Sequence, residues 1–161
     1  LRRSLLGEGE IERASELFRE ALALAQQRQS QAATAWAHVN LGLAHVAANR
    51  PHEAADHFRA ALTIYQELDS VSGLIAVFNG LAAVAVAQQH HARAAELLAV
   101  AARLREQSGQ ALTLYETEMA EGTLAAGQCA LGEAAWAAAW LAGRYLSLPA
   151  AISLARGEGV A

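Results

Sequence analysis

Six histidines are the first residues in this sequence that could do chemistry, as metal ligands or proton carriers. His38 and His45 lie seven apart and share one face of a helix, His52 and His57 fall in the next apolar segment, and His90 and His91 are adjacent. Zinc needs three or four ligands converging on one point. Adjacent histidines on a helix point to different sides, and Cys129 is the single cysteine, so no second thiol supports them. The histidines therefore read as turn and surface residues, and no metal is expected. His38 is placed where it could face a groove and donate hydrogen bonds. Glu116, Glu118 and Glu121 cluster beside Tyr115. Paired carboxylates can do acid–base work, but Ser and Thr fall mostly in linkers and no nucleophile–base pair stands out. The expectation is no catalytic residue and no cofactor, with this acidic stretch favouring a basic partner.

Asn40 and Asn79 interrupt otherwise apolar helices. A polar residue there costs stability unless it is paired or solvated, so each either faces a groove and holds a partner's backbone or is a solvent-facing or helix-bridging polar residue; the groove reading is the functional one. Trp136 and Trp140, one turn apart, read as plugs of the last hairpin's core. Trp36 opens a helix, and the sequence leaves its exposure open.

The elements that position these residues follow from a repeat. Three segments, 12–30, 52–70 and 92–110, align at a constant offset of 40. Equivalent positions read Ala14, Ala54, Ala94; Phe18, Phe58, Leu98; Ala21, Ala61, Ala101; and Leu24, Ile64, Leu104. Their spacings of four, three and three put one apolar stripe on a helix. Two more apolar helices, 33–48 and 73–88, precede the second and third segments at the same offset. The turns inside the repeats are Asn49-Arg50-Pro51 and Gln89-His90-His91. Polar linkers at 29–31 and 69–72 are expected to be longer. Pro51 suits a first helical turn, where its missing N–H is not needed. A further hairpin is expected over 113–129 and 132–143, with Gly132 and Gly143 as stops. Ser147-Leu148-Pro149 reads as an N-cap opening a closing helix to Arg156. At the front, 1–6 reads as the tail of a helix, and 7–9 as its turn.

Composition agrees. Hydrophobic residues make up 54 % and charged residues 17 %, too apolar for a disordered segment. Alanine dominates and Pro occurs only at 51 and 149, which argues for helices. No run approaches the roughly 20 apolar residues of a membrane span. Net charge is −4, and the twelve cationic residues, all Arg, are scattered, unlike the basic face of a nucleic-acid binder. The lone cysteine fits a reducing, cytoplasmic compartment. No signal peptide is visible, and Leu1 in place of Met suggests a piece of a longer protein.

Leu41-Gly42, Ala54, Phe58 and Ala61 stand at the spacings of the tetratricopeptide signature, and the chain resembles that family. Departures are the unit of 40 residues, His45 at the family's aromatic position, Glu67 at its closing Pro and His38 at its early Trp. The resemblance implies an all-α fold, a right-handed solenoid of antiparallel hairpins with a C-terminal capping helix. It spans 1–161 as one domain: a repeat tail to 30, repeats 31–70 and 71–110, and a degenerate repeat and cap from 111. First helices of such stacks line a groove, here expected near Asn40, Leu43, Asn79, Ala83 and Glu116.

The stretch 131–148, with Leu131-Gly132-Glu133-Ala134-Ala135-Trp136 and Gly143-Arg144, is similar to the C-terminal repeats of large bacterial signal-transduction ATPases of the LuxR-like and antibiotic-regulator type. That resemblance implies a non-catalytic domain of a transcriptional regulator. Its repeats would bind a protein or peptide segment, other domains of the same parent chain or a small inducer, with no direct contact to nucleic acid or membrane. No phosphate loop of the GxxxxGK[ST] form is present. The absence of Lys argues against carboxylate-clamp chaperone binding. The alternative reading is an oligomerisation or adaptor scaffold, with pairing into a homodimer.

Overall fold

The computed structural model describes residues 7–158. Within them the chain forms eight helices and no strand: α1 (Glu8–Gln27), α2 (Gln31–Ala47), α3 (Pro51–Glu67), α4 (Val71–Ala87), α5 (His91–Ser108), α6 (Leu114–Leu131), α7 (Glu133–Tyr145) and α8 (Leu148–Arg156). This is an all-α solenoid. The helix tail expected over 1–6 lies outside the described residues. The turn expected at 7–9 is displaced: Gly7 is the N-cap of α1 and Gly9 is already helical.

The stack has a finer period than its repeat. Helices α2, α3 and α4 each have 17 residues, and three-residue turns join α1 through α5. The linkers at 29–31 and 69–72, expected to be longer, match the intra-repeat turns in length. Each turn uses the same device. Gln29, Asn49, Asp69 and Gln89 adopt positive φ between 49° and 63°, and the next residue's N–H returns to a carbonyl of the last helical turn, as Ser70 does to Tyr65 at 3.0 Å. This left-handed C-terminal cap satisfies carbonyls that the helix leaves open. None of the four is glycine, although a side chain in this conformation carries a steric cost. Asp69→Gly is therefore expected to raise stability by about 1 kcal/mol, read as a higher urea midpoint. An unchanged midpoint would count against this account of the turn.

Starts are local as well. Ser30 and Ser70 accept from the N–H groups of Ala33 and Gly73, Pro51 occupies the first turn of α3, and Ser147 caps α8. Thr113 and Glu116 form a reciprocal capping box on α6.

Short turns make consecutive helices antiparallel neighbours. The core runs along their shared faces and includes Leu41, Phe58, Leu62, Phe78, Leu97 and Val100. Phe58 is its wedge. Its ring occupies the space that Gly42 of α2 and Gly80 of α4 leave empty, and a Cβ on Gly42 would lie 2.8 Å from it.

The regular pattern ends after α5. Helix α7 packs mainly on α5 and little on α6. Gly143 was expected to stop the last hairpin, but it is a buried residue inside α7, pressed against the backbone of Glu96, where no Cβ would fit. Gly132 does separate α6 from α7, at φ 91°. Helix α8 folds back over α3 and α5, burying Ala151, Ile152 and Ala155. Arginines hold this return. Arg103 donates to the carbonyls of Arg144, at 2.7 Å, and Leu146, Arg93 to those of Leu154 and Ala155, and Arg156 to Gln66 at 3.0 Å. Cations at helix C-termini meet open carbonyls and the negative end of the helix dipole.

Candidate interaction groove

Helices α2, α4 and α6 lie side by side as the first helices of successive hairpins. Helices α2 and α4 each bury one stripe in the core and turn a second, largely apolar one outward: Val39, Leu43 and Val46 on α2, and Ala76, Ala83 and Val86 with Asn79 on α4. Helix α4 has no charged residue, so its outward side is apolar apart from Asn79. Two adjoining hollows follow. The smaller, about 50 Å³, lies among Val39, Leu43, Asn79, Tyr115, Glu116 and Met119. The larger, about 580 Å³ and open to solvent, continues past Val46, Ala83, Val86, Met119 and Ala126.

The structure thus brings Leu43, Asn79 and Glu116 around one hollow and Leu43 and Ala83 around its neighbour. It does not bring Asn40 to either. The Asn40 Nδ2 donates to the Trp36 carbonyl at 2.8 Å, one turn back in its own helix. Met119 and Tyr115 also line both hollows, Met119 without having stood out in the sequence and Tyr115 only as a neighbour of the acidic cluster. The signal was present: Met119 is the only methionine in the chain, and a flexible thioether suits a surface that must adapt to a partner.

Glu116 and Glu118 line these hollows and no Arg or His does, so the floor is apolar and the rim acidic. The Thr123 hydroxyl on the wall donates to the Met119 carbonyl at 2.9 Å. The arrangement can bury an apolar face and attract positive charge.

The histidines take a different place from the one expected. His38 does not face the groove: its Nδ1 lies 2.9 Å from the Nδ1 of His57 on α3. His45 is buried and stacks on His57, centroids 5.3 Å apart and planes 14° apart. Burial lowers the pKa of His38 and His45. His57 is lowered to about 4, by burial first and then by the two neighbouring rings. The three rings act as packing between α2 and α3. Among the described residues no three His, Cys, Asp or Glu side chains converge as a metal site would need.

Of the tryptophans, Trp136 is buried against Gly127 and plugs the α6–α7 corner, while Trp140 is half-buried. Trp36 is 53 % exposed and meets Phe18 edge-on at 5.8 Å.

Residues 3–67, which include α1 to α3, match a family model described as tetratricopeptide repeat. The match, over less than half of the chain, supports tetratricopeptide repeats in that stretch. No curated protein and no solved structure matches the chain. Tetratricopeptide repeats generally mediate protein–protein interaction and are typically non-catalytic modules. The Leu41-Gly42, Ala54, Phe58 and Ala61 framework falls inside the matched stretch, and all five residues are buried in the hairpin of α2 and α3. His45, at the family's aromatic position, keeps a ring there by stacking on His57. No helix of the described residues is long and apolar enough to cross a membrane.

Proposed function

We propose that this chain is a non-catalytic protein-interaction domain, without cofactor, whose groove over α2, α4 and α6 binds a basic amphipathic segment of a protein. The observation that carries this reading is the continuous apolar floor from Val39 to Ala126 with carboxylates, and no cations, along its wall. Groove residues are Leu43, Asn79, Ala83 and Glu116, together with Tyr115 and Met119. Asn40, whose amide is taken up within its own helix, is dropped from the set. An amphipathic helix laid in such a groove buries its apolar face at spacings of three and four, and its Lys or Arg residues meet Glu116 and Glu118.

The wider setting is a cytoplasmic bacterial transcriptional regulator in which 1–161 forms one repeat domain. Support comes from the likeness of 131–148 to the ends of such regulators. A phosphate loop and a helix-turn-helix in the parent chain would test it directly. The alternative is an oligomerisation scaffold. It is favoured by the outer face of α7, where Leu141 is 57 % and Tyr145 82 % exposed.

The test uses a synthetic helix of Leu and Lys beside one of Leu and Glu. The Leu–Lys peptide is expected to bind about tenfold tighter or better, and Ala83→Arg, placing a cation on the groove floor, is expected to remove that preference. Equal binding of the two peptides, or no effect of Ala83→Arg in a chain of unchanged helicity, would sink the groove assignment. Sedimentation of the free chain, run alongside, reads the scaffold alternative: a strict monomer excludes it.

A further inference from the structure

On the far side of α6 from the groove lies a second cavity of about 210 Å³, bounded by α4, α5, α6 and α7 and partly open to solvent. Its origin is visible in the repeat. In the preceding unit Phe58 fills the space beside Gly80, and the ring of Tyr65 covers Gly73. Forty residues on, Leu98 stands for Phe58 and Arg105 for Tyr65. Two aromatic rings are lost together, and α7 packs on α5 at Gly143 and little on α6.

The walls of this cavity are of two kinds. Leu98, Leu112, Leu124 and Trp140 give an apolar body. Asn79, Arg105 and Glu121 supply an amide, a cation and an anion. Arg105 and Glu121 form no ion pair with each other or with any other described residue. The Ser108 hydroxyl donates to the Arg105 main-chain carbonyl, and among the described residues nothing hydrogen-bonds the guanidinium. Thr117, also on the wall, has its hydroxyl committed to the Thr113 carbonyl at 2.9 Å. A cation and an anion without an ion pair, on the wall of a partly apolar and partly open cavity, leave one place for a carboxylate and another for an ammonium. The volume lies below the about 300 Å³ at which sites for drug-sized ligands begin.

We propose that this cavity is a binding site for a small zwitterion with an apolar side chain, of the α-amino-acid class. Arg105 takes the carboxylate through its fork of N–H donors, Glu121 takes the ammonium, Asn79 hydrogen-bonds either, and the side chain lies against Leu98, Leu124 and Trp140. Because Asn79 lines both this cavity and the smaller hollow of the groove, and α6 forms a wall of each, an occupant here would touch the same helix that a groove partner touches.

Calorimetric titration of the full chain with L-leucine, L-phenylalanine and L-tryptophan tests this. At least one is expected to bind saturably at one site. N-acetyl-L-phenylalanine, lacking the ammonium, and L-phenylalaninamide, lacking the carboxylate, are each expected to bind about tenfold more weakly than the parent or worse. Arg105→Gln and Glu121→Gln, both at solvent-reachable positions, should each cost about tenfold as well while leaving the melting temperature unchanged. No saturable binding of any of the three amino acids up to about 10 mM overturns the proposal. So does undiminished affinity in either variant or for either derivative. Such a failure leaves the groove reading standing, because peptide capture there does not require this cavity to be filled.

Discussion

Phe58→Ala is expected to lower the stability of the fold by about 3–5 kcal/mol, the largest loss expected from truncating any one core side chain. The ring is fully buried and sits where α2, α3 and α4 meet. Its neighbours across the interface are Gly42 and Gly80, which have no side chains to move into the space it would leave. The lost transfer energy is therefore joined by the full cost of a cavity, since relaxation is what normally softens such truncations. The position also matters for cooperativity. Repeats in a solenoid are stabilised mainly by contacts with their neighbours, and Phe58 is the contact shared by two hairpins. Denaturation followed by circular dichroism should show a lower midpoint and a broadened or two-step transition, with α1 to α3 lost before the rest. A loss below about 1 kcal/mol in a single sharp transition would show that the ring is not the wedge.

Stability is expected to fall as the pH drops from 6.5 towards 4, by about 1–2 kcal/mol from the histidine stack. His57 titrates near 4 in the fold against 6.5 unperturbed, and His38 and His45 are shifted in the same direction. Above 6.5 all three rings are neutral whether the chain is folded or not, so their packing contributes fully. Below it the unfolded chain gains protons that the folded stack refuses, and the balance moves towards unfolding until His57 itself protonates. Taken at face value the His57 shift is worth about 3 kcal/mol, but the ring is only half-buried and solvent screening reduces this. The surroundings oppose one another: Glu12 and Arg19 from α1, Arg50 at the turn, and Glu53 and Asp56 from α3, while α4 contributes no charge. The urea midpoint measured at pH 7 and at pH 5 checks the expectation, with His57→Asn as the comparison. The variant should lose less on acidification than the parent; equal losses would remove the histidines from the explanation.

What the sequence determined by itself is what local interactions decide. Apolar stripes at helical spacing, serine and threonine caps, Pro51 at a first turn and the constant offset of 40 all act within one helix or across one turn. They were sufficient for the eight helices, for Gly132 as a divider and for Ser147 as the start of α8. The groove was partly legible for the same reason. Leu43, Asn79, Ala83 and Glu116 sit on outward stripes of their helices, and the hairpin pattern says which helices lie side by side. Asn40 shows where this stops. Its equivalent in the next repeat is Gly80, not Asn79, and one residue is a turn of about 100° around a helix. Asn79 corresponds to Val39, which does line the hollow. Pairing the two asparagines by type was one residue out of register.

Only the tertiary structure decided the rest, because it depends on distances between helices that no local pattern encodes. The approach of α2 to α3 brought three histidines, read as turn and surface residues, together between the two helices, with His45 buried and stacked on half-buried His57. Gly143 carries the same sequence signal whether it ends a helix or admits a neighbour, and the nearness of Glu96 chose the second. The return of α8 over α3 and α5 rests on arginines reaching carbonyls up to 62 residues away. The cavity behind α6 appears where Leu98 and Arg105 replace rings that filled the preceding repeat. Both residues are compatible with the helical pattern, and only the packing of four helices around them reveals the space left over.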